Sequence, residues 1–147
     1  MIRRPPRSTL FPYTTLSDLT LNITGFPEIG LNVTTVTFDD TYINDTSSVL
    51  LEITNVGSDD LEISSFDFDN DYFFTNESDL ELNPGESTEI TLLFIPDTVG
   101  QFSGSLTINS NDNNDPMIDI SLNGTGEVSP LLLSFSSLSD TLDANAV

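Results

Sequence analysis

From Val33 to Asn123 apolar and polar residues alternate in short runs, and turn-forming residues interrupt them about every 8–12 positions. Alternation of period two sends successive side chains to opposite faces of a strand. A regular succession of such runs therefore predicts an all-β domain, and no stretch keeps the ~3.6-residue period of an amphipathic helix. Ser48–Asn55 (SVLLEITN) sets Val49, Leu51 and Ile53 against Leu50, Glu52 and Thr54. Asn55–Asp60 (NVGSDD) is a turn cluster, and Leu61–Phe66 then points Leu61 and Ile63 inward. Asp79–Leu82 leads into Asn83-Pro84-Gly85-Glu86, whose Pro-Gly order predicts a type II turn with positive φ at the glycine. Ser87–Ile95 aligns Ile90, Leu92 and Phe94. Phe102–Asn109 aligns Phe102, Gly104, Leu106 and Ile108, and Ile118, Ile120 and Leu122 close the series. About seven strands follow, which is the content of a two-sheet sandwich.

Two stretches are near copies. Asp18–Gly25 reads DLTLNITG and Asp119–Gly126 reads DISLNGTG, identical at five of eight positions and offset by 101 residues. Self-similarity at a fixed spacing marks a repeat array. Val36-Thr37-Phe38 is echoed by Leu133-Ser134-Phe135. The expected organisation is a leader (1–17), the last strand of a preceding repeat (18–25), one complete domain (30–126) and the truncated start of a following repeat (127–147).

Charge narrows the chemistry. All 24 Asp and Glu lie at or after Asp18, and the only basic residues are Arg3, Arg4 and Arg7. The chain has no His and no Cys, so it lacks an imidazole base, a thiolate nucleophile and the usual zinc ligands. An acid-only surface repels phosphate, which excludes nucleic acid and anionic membranes as partners. No run of about 18 apolar residues is present to span a bilayer. A self-repelling surface of this kind favours a monomer.

Met1–Leu16 differs in kind: it holds every Arg and no acid. Pro5, Pro6, Arg7 and Ser8 interrupt the apolar stretch that a signal peptide needs. The string resembles a translated sequencing adapter, which implies a non-native leader. The rest resembles the ASH/Hydin-type immunoglobulin-like domain, found in bacterial choice-of-anchor D surface proteins. The resemblance rests on Ile53–Gly57, Leu82–Glu86, Phe94-Ile95-Pro96, Gly104–Ile108 and Leu122–Gly126, in the family's order. It implies a seven-stranded immunoglobulin-like β-sandwich that serves as a spacer or docking module and brings no catalytic residues. Two positions depart from the family: Phe38-Asp39 stands where Phe-Gly is usual, and the glycine expected near Asn44-Asp45 is replaced.

Two acidic clusters are candidates for Ca²⁺, the one cofactor considered. Asp67, Asp69 and Asp71 have the one-three-five spacing that opens an EF-hand loop. Tyr72 and Ser78 occupy the positions where that loop needs Gly and Glu, so only a looser Ca²⁺ site fits, against the plainer reading of an acidic inter-strand loop. Asp112 and Asp115, in NDNNDP, are similar to a cadherin inter-domain Ca²⁺ linker with its spacing off by one residue; an ordinary Asn/Asp turn explains them as well. Tyr72-Phe73-Phe74 reads as a plug between sheets more readily than as a carbohydrate platform. Carboxylate pairs at glycosidase spacing arise by chance among so many acids. The five N-x-S/T sequons, at Asn22, Asn32, Asn44, Asn76 and Asn123, follow from a composition rich in Asn and Thr.

The expected function is therefore non-enzymatic: a structural spacer or adhesive repeat of a larger secreted or cell-surface protein. Its partners would be neighbouring repeats of the same chain and an unidentified protein or glycan ligand. Two alternatives stand beside it. One is a protein-docking module of the Hydin/ASH type, cytoplasmic or ciliary in location; the other is an ancillary carbohydrate-binding domain of a secreted enzyme.

Overall fold

The computed structural model describes residues 24–130, and from Ile29 to Glu127 every regular element is a strand. In chain order these are β1 (Ile29–Leu31), β2 (Thr35–Thr37), β3 (Thr41–Tyr42), β4 (Ser47–Asn55), β5 (Leu61–Phe68), β6 (Phe73–Thr75), β7 (Leu80–Leu82), β8 (Ser87–Phe94), β9 (Gly100–Ser110) and β10 (Met117–Glu127). One sheet has the order β1-β4-β8-β6. The other runs β2-β10-β9-β5-β7, with β3 also pairing with β10. The all-β sandwich is as expected. The strand count rises to ten because short pieces of two or three residues pair separately at the margins. The leader 1–17, nearly all of the 18–25 copy and most of 127–147 lie outside the described residues.

The long strands sit where alternation placed them. Leu51 and Ile53 on β4, Ile90, Leu92 and Phe94 on β8, Leu106 and Ile108 on β9 and Ile120 and Leu122 on β10 are all buried, and they meet between the sheets. Their neighbours Leu50, Glu52, Glu89 and Ser121 face outward. At about 1.5–3 kcal/mol per fully buried apolar side chain, this inner layer is the main source of stability.

The chain changes sheets between β1 and β2. β1 pairs antiparallel with the end of β4, from Ile29 opposite Asn55 to Leu31 opposite Ile53; β2 then pairs parallel with β10. The Asn83–Glu86 turn takes the form that Pro-Gly requires: Gly85 has φ 78° and the Glu86 amide donates to the Asn83 carbonyl at 3.0 Å. At the position where the family's glycine is missing, Asn44 adopts φ 64°. Asparagine is among the few residues that tolerate this left-handed conformation, so the turn survives the substitution.

Register places the two ends of the domain at opposite poles. Thr24–Ile29, the Asn55–Asp60 turn, the Asn83–Glu86 turn and the Asn111–Asp115 loop share one pole, which the chain enters. The Tyr42–Asn44 turn, the Pro96–Gly100 turn and Gly126-Glu127 share the other, which it leaves. At ~3.4 Å per residue, the eleven residues of β10 run the length of the sandwich.

Candidate functional site

The Asp67–Asp71 cluster belongs to the end of β5 and the turn after it. Asp67 Oδ2 accepts hydrogen bonds from Asn109 Nδ2 at 2.7 Å and Ser65 Oγ at 3.1 Å. Asp69 Oδ1 accepts from the Ser105 amide at 3.0 Å and from Asn70 Nδ2 at 2.8 Å. Asp71 is exposed in the turn. Only Asp67 lies on β5, which ends at Phe68, and the Asp67 and Asp69 carboxylates each engage their own set of donors instead of sharing one point. Among the described residues, no three acidic side chains gather in a way that would hold a metal ion.

The second cluster is built differently. Asp112 is buried, and its Oδ2 accepts the Ile29 amide at 3.1 Å, while Oδ1 accepts the amides of Asn114 at 2.8 Å and Asp115 at 3.3 Å. Burial raises the affinity of this carboxyl for its proton, but the three N–H donors together outweigh it and hold the group below the usual carboxylate range. Asp112 thus clasps the incoming β1 to the β9–β10 loop. Asp115 contributes its backbone, and its side chain is exposed.

Asn55, at the same pole, is fully buried. Its Nδ2 donates to the carbonyls of Asp59 at 2.8 Å and Leu82 at 2.9 Å, and its Oδ1 accepts the Gly57 amide at 3.0 Å. The sequence marks Asn55 only as the first residue of a turn cluster. What gives it away in retrospect is an amide side chain at an inward position of the β4 alternation, where every buried donor and acceptor must be paired.

Three surface features complete the inventory. The side of β4 away from β8 is paired by β1 only from Ile53 to Asn55, so Ser48–Leu51 present a strand edge that no other described strand covers, with Leu50 54% exposed beside it. A groove of about 200 Å³ over β2, β10 and β9 is lined by Thr37, Gln101, Phe102, Ser103, Asn123, Gly124 and Thr125, none of them charged. The aromatic run is divided by depth: Phe73 is buried against Phe94, while half-buried Tyr72 packs edge-on to Phe102 at 4.6 Å.

A profile of the HYDIN/CFA65/VesB-like Ig-like domain matches residues 27–125. Among solved structures, the ASH/PapD-like domain of human CEP192 (PapD-like domain 7) is similar, with TM-score 0.62 and 15% identity over 86% of this chain and 99% of that one. A Porphyromonas gingivalis W83 protein of unknown function gives TM-score 0.56 and 22% identity over 76% of this chain. The E. coli chaperone DraB gives TM-score 0.54 and 10% identity over 69% of this chain. The alignments cover 51% and 56% of these last two chains, about half of each. At such identities the likeness is one of fold. No curated protein matches.

Proposed function

The chain belongs to the HYDIN/CFA65/VesB-like family of Ig-like domains, and from that premise we propose that it is a non-enzymatic structural spacer or adhesive repeat of a larger secreted or cell-surface protein. The observation that carries this reading is the path of the chain. It enters at one pole and leaves at the other along a strand that spans the sandwich, and the sequence of that exit, Asp119–Gly126, recurs at Asp18–Gly25, one domain length earlier. Units threaded in this way stack end to end and hold whatever they carry at a distance. The described domain bears 21 carboxylates and no cation, which suits a solvated stalk. The contiguous parent reading frame tests the proposal: further units at the same spacing, framed by an export signal and a surface anchor, are expected. A frame with a single unit, or none of the export features, would overturn it.

The open edge of β4 favours a second reading, a docking module that takes an added strand from a partner along Ser48–Leu51. The acid-only surface would select a partner rich in Lys or Arg. Leu50→Lys leaves the core untouched, so abolished capture of such a partner would promote docking, whereas unchanged behaviour leaves the spacer reading ahead.

A further inference from the structure

We propose that successive units lock head to tail into a rigid joint, with one glycine and one carbonyl shared between them; the proposal rests on the tandem-repeat reading above. The chain offers two views of a single repeat position. Gly126 shows it from the unit being left: a Cβ there would lie 2.3 Å from the Thr98 carbonyl oxygen and 2.9 Å from Pro96 Cβ. Gly25 shows it from the unit being entered: a Cβ would lie 2.8 Å from the Ser58 carbonyl oxygen and 3.0 Å from Asp59 Cβ. In an array these are the same residue. The 96–98 turn of one unit and the 57–59 turn of the next therefore close on it from their respective domains, and neither leaves room for a side chain.

The next residue ties the units by hydrogen bonds. The 101-residue offset aligns Phe26 with Glu127. The Glu127 carbonyl accepts the Ile43 amide at 2.9 Å within its own unit. The Phe26 carbonyl accepts the Ser58 amide at 2.8 Å and, at 3.2 Å, that of Asp59. A carbonyl oxygen has two lone pairs, so at the joint it can take Ile43 from one side and Ser58 from the other, and the longer Asp59 contact yields. Two positions further on, the Glu28 carbonyl accepts the Val56 amide at 2.9 Å, and Gly57 lies so close that a Cβ would sit 2.4 Å from the Phe26 oxygen. No residue is left over to act as a flexible linker.

The poles also carry the apolar surface that a joint would cover. Of the eight large apolar side chains exposed in the described domain, Phe26, Val56 and Met117 stand at the entering pole, and Tyr42, Val99 and Val128 at the leaving one. Opposing this are carboxylates at both poles, among them Asp59 and Asp60 on one and Asp45 and Asp97 on the other. Their repulsion is screened within ~10 Å at 0.1 M salt and ~3 Å at 1 M. Covalent linkage supplies a millimolar effective concentration, so a small contact suffices.

The test is a duplicated chain, residues 1–126 followed directly by 26–147, with Ser103→Cys in each unit. The natural sequence has no cysteine, so spin labels attach only there. Pulsed electron-spin distance measurement is expected to give one inter-unit distance with a spread of less than about 5 Å. Insertion of five Gly/Ser residues after the joint glycine should widen the spread to about 10 Å or more. Gly126→Val at the joint should widen it too; if that variant unfolds its own unit, the insertion alone decides. An uninterrupted joint as broad as the inserted one would overturn the proposal while leaving the tandem reading intact. A parent frame with one unit would end the tandem reading whatever the duplicated chain does.

Discussion

The two ends of the sandwich are closed by opposite chemistries. At the leaving end, Phe73 stacks on Phe94 with ring centroids 4.9 Å apart, Phe38 packs on both at 5.4 and 5.5 Å, and Phe102 meets Phe94 edge-on at 5.4 Å. At the entering end, Asn55 and Asp112 do the equivalent work with six hydrogen bonds to backbone groups. Rings fill volume and tolerate small displacements of the chain around them. Hydrogen bonds to buried groups fix direction as well as distance, and a lost partner leaves a buried donor or acceptor unsatisfied. Loops that must receive an incoming strand in one register gain from the second kind of closure. The aromatic end only has to exclude water.

The contrast has measurable consequences, and the aromatic end should show the largest. Phe94→Ala removes a fully buried ring that touches three others and should cost about 3–5 kcal/mol in urea unfolding. Gly124→Ala attacks the same spot from the opposite sheet, since its Cβ would lie 2.5 Å from the Phe94 ring. Overpacking of that kind should cost about 1–3 kcal/mol. If both variants were neutral, the aromatic cluster would be an ornament and not a closure.

Next comes Asn55→Ala, expected to cost about 2–4 kcal/mol, because the Gly57 amide and the Asp59 and Leu82 carbonyls lose their partner together. Its hydrogen-exchange pattern should differ from that of Phe94→Ala. Amides of the Asn55–Asp60 turn should open first, with β8 and β9 still protected; uniform loss of protection would contradict a local role.

The apolar layer between the sheets was more legible in the sequence than the polar closure of the entering end. Leu51, Ile53, Ile90, Leu92, Phe94, Leu106 and Ile108 announce themselves because eight to eleven alternating residues carry the period. β1, β2, β3, β6 and β7 hold two or three residues each, too few to show a period, and only their partners define them. Asp112 was visible as an acid in a polar loop, which suggested a cation. The N–H group of Ile29 that it accepts comes from 83 residues away, and no local pattern reveals such a donor. Asn55 was hidden for the same reason, since its Leu82 partner is 27 residues distant. Directional closure depends on long-range geometry, whereas hydrophobic closure is written in composition along each strand.

Asp112→Asn should cost about 1–3 kcal/mol at neutral pH, since the amide retains an acceptor for only part of the N–H set. The native fold holds the Asp112 carboxyl below its ordinary value, so the ionised form favours folding. This stabilisation is complete above the unfolded carboxylate pKa of about 3.9 and fades as pH falls through the lower folded value. The gap between wild type and Asp112→Asn should therefore close in acid. Taking the difference cancels the relief of repulsion among the other carboxylates, which both proteins share. A gap that stays constant from pH 7 to pH 2 would mean that charge plays no part in the clasp.

The smallest effect is expected at Glu86, and it separates a buried carboxylate from an exposed one. Glu86 Oε2 accepts the Asn83 side-chain amide at 2.8 Å and the Asn83 backbone amide at 3.0 Å, and these bonds, the side-chain one foremost, hold its carboxyl below the usual range. The sign is the same as for Asp112: the contribution is present at neutral pH and is lost in acid. Glu86 is exposed, however, so water and salt compete for the same interaction, and surface contacts of this kind are weak. Glu86→Gln should lower the melting temperature slightly at low salt and not at all in 1 M NaCl. The Asp112→Asn deficit should survive that salt, because ions do not reach a buried oxygen. If salt erased both deficits alike, Asp112 would be acting as a surface charge, and the directional closure of the entering pole would rest on Asn55 alone.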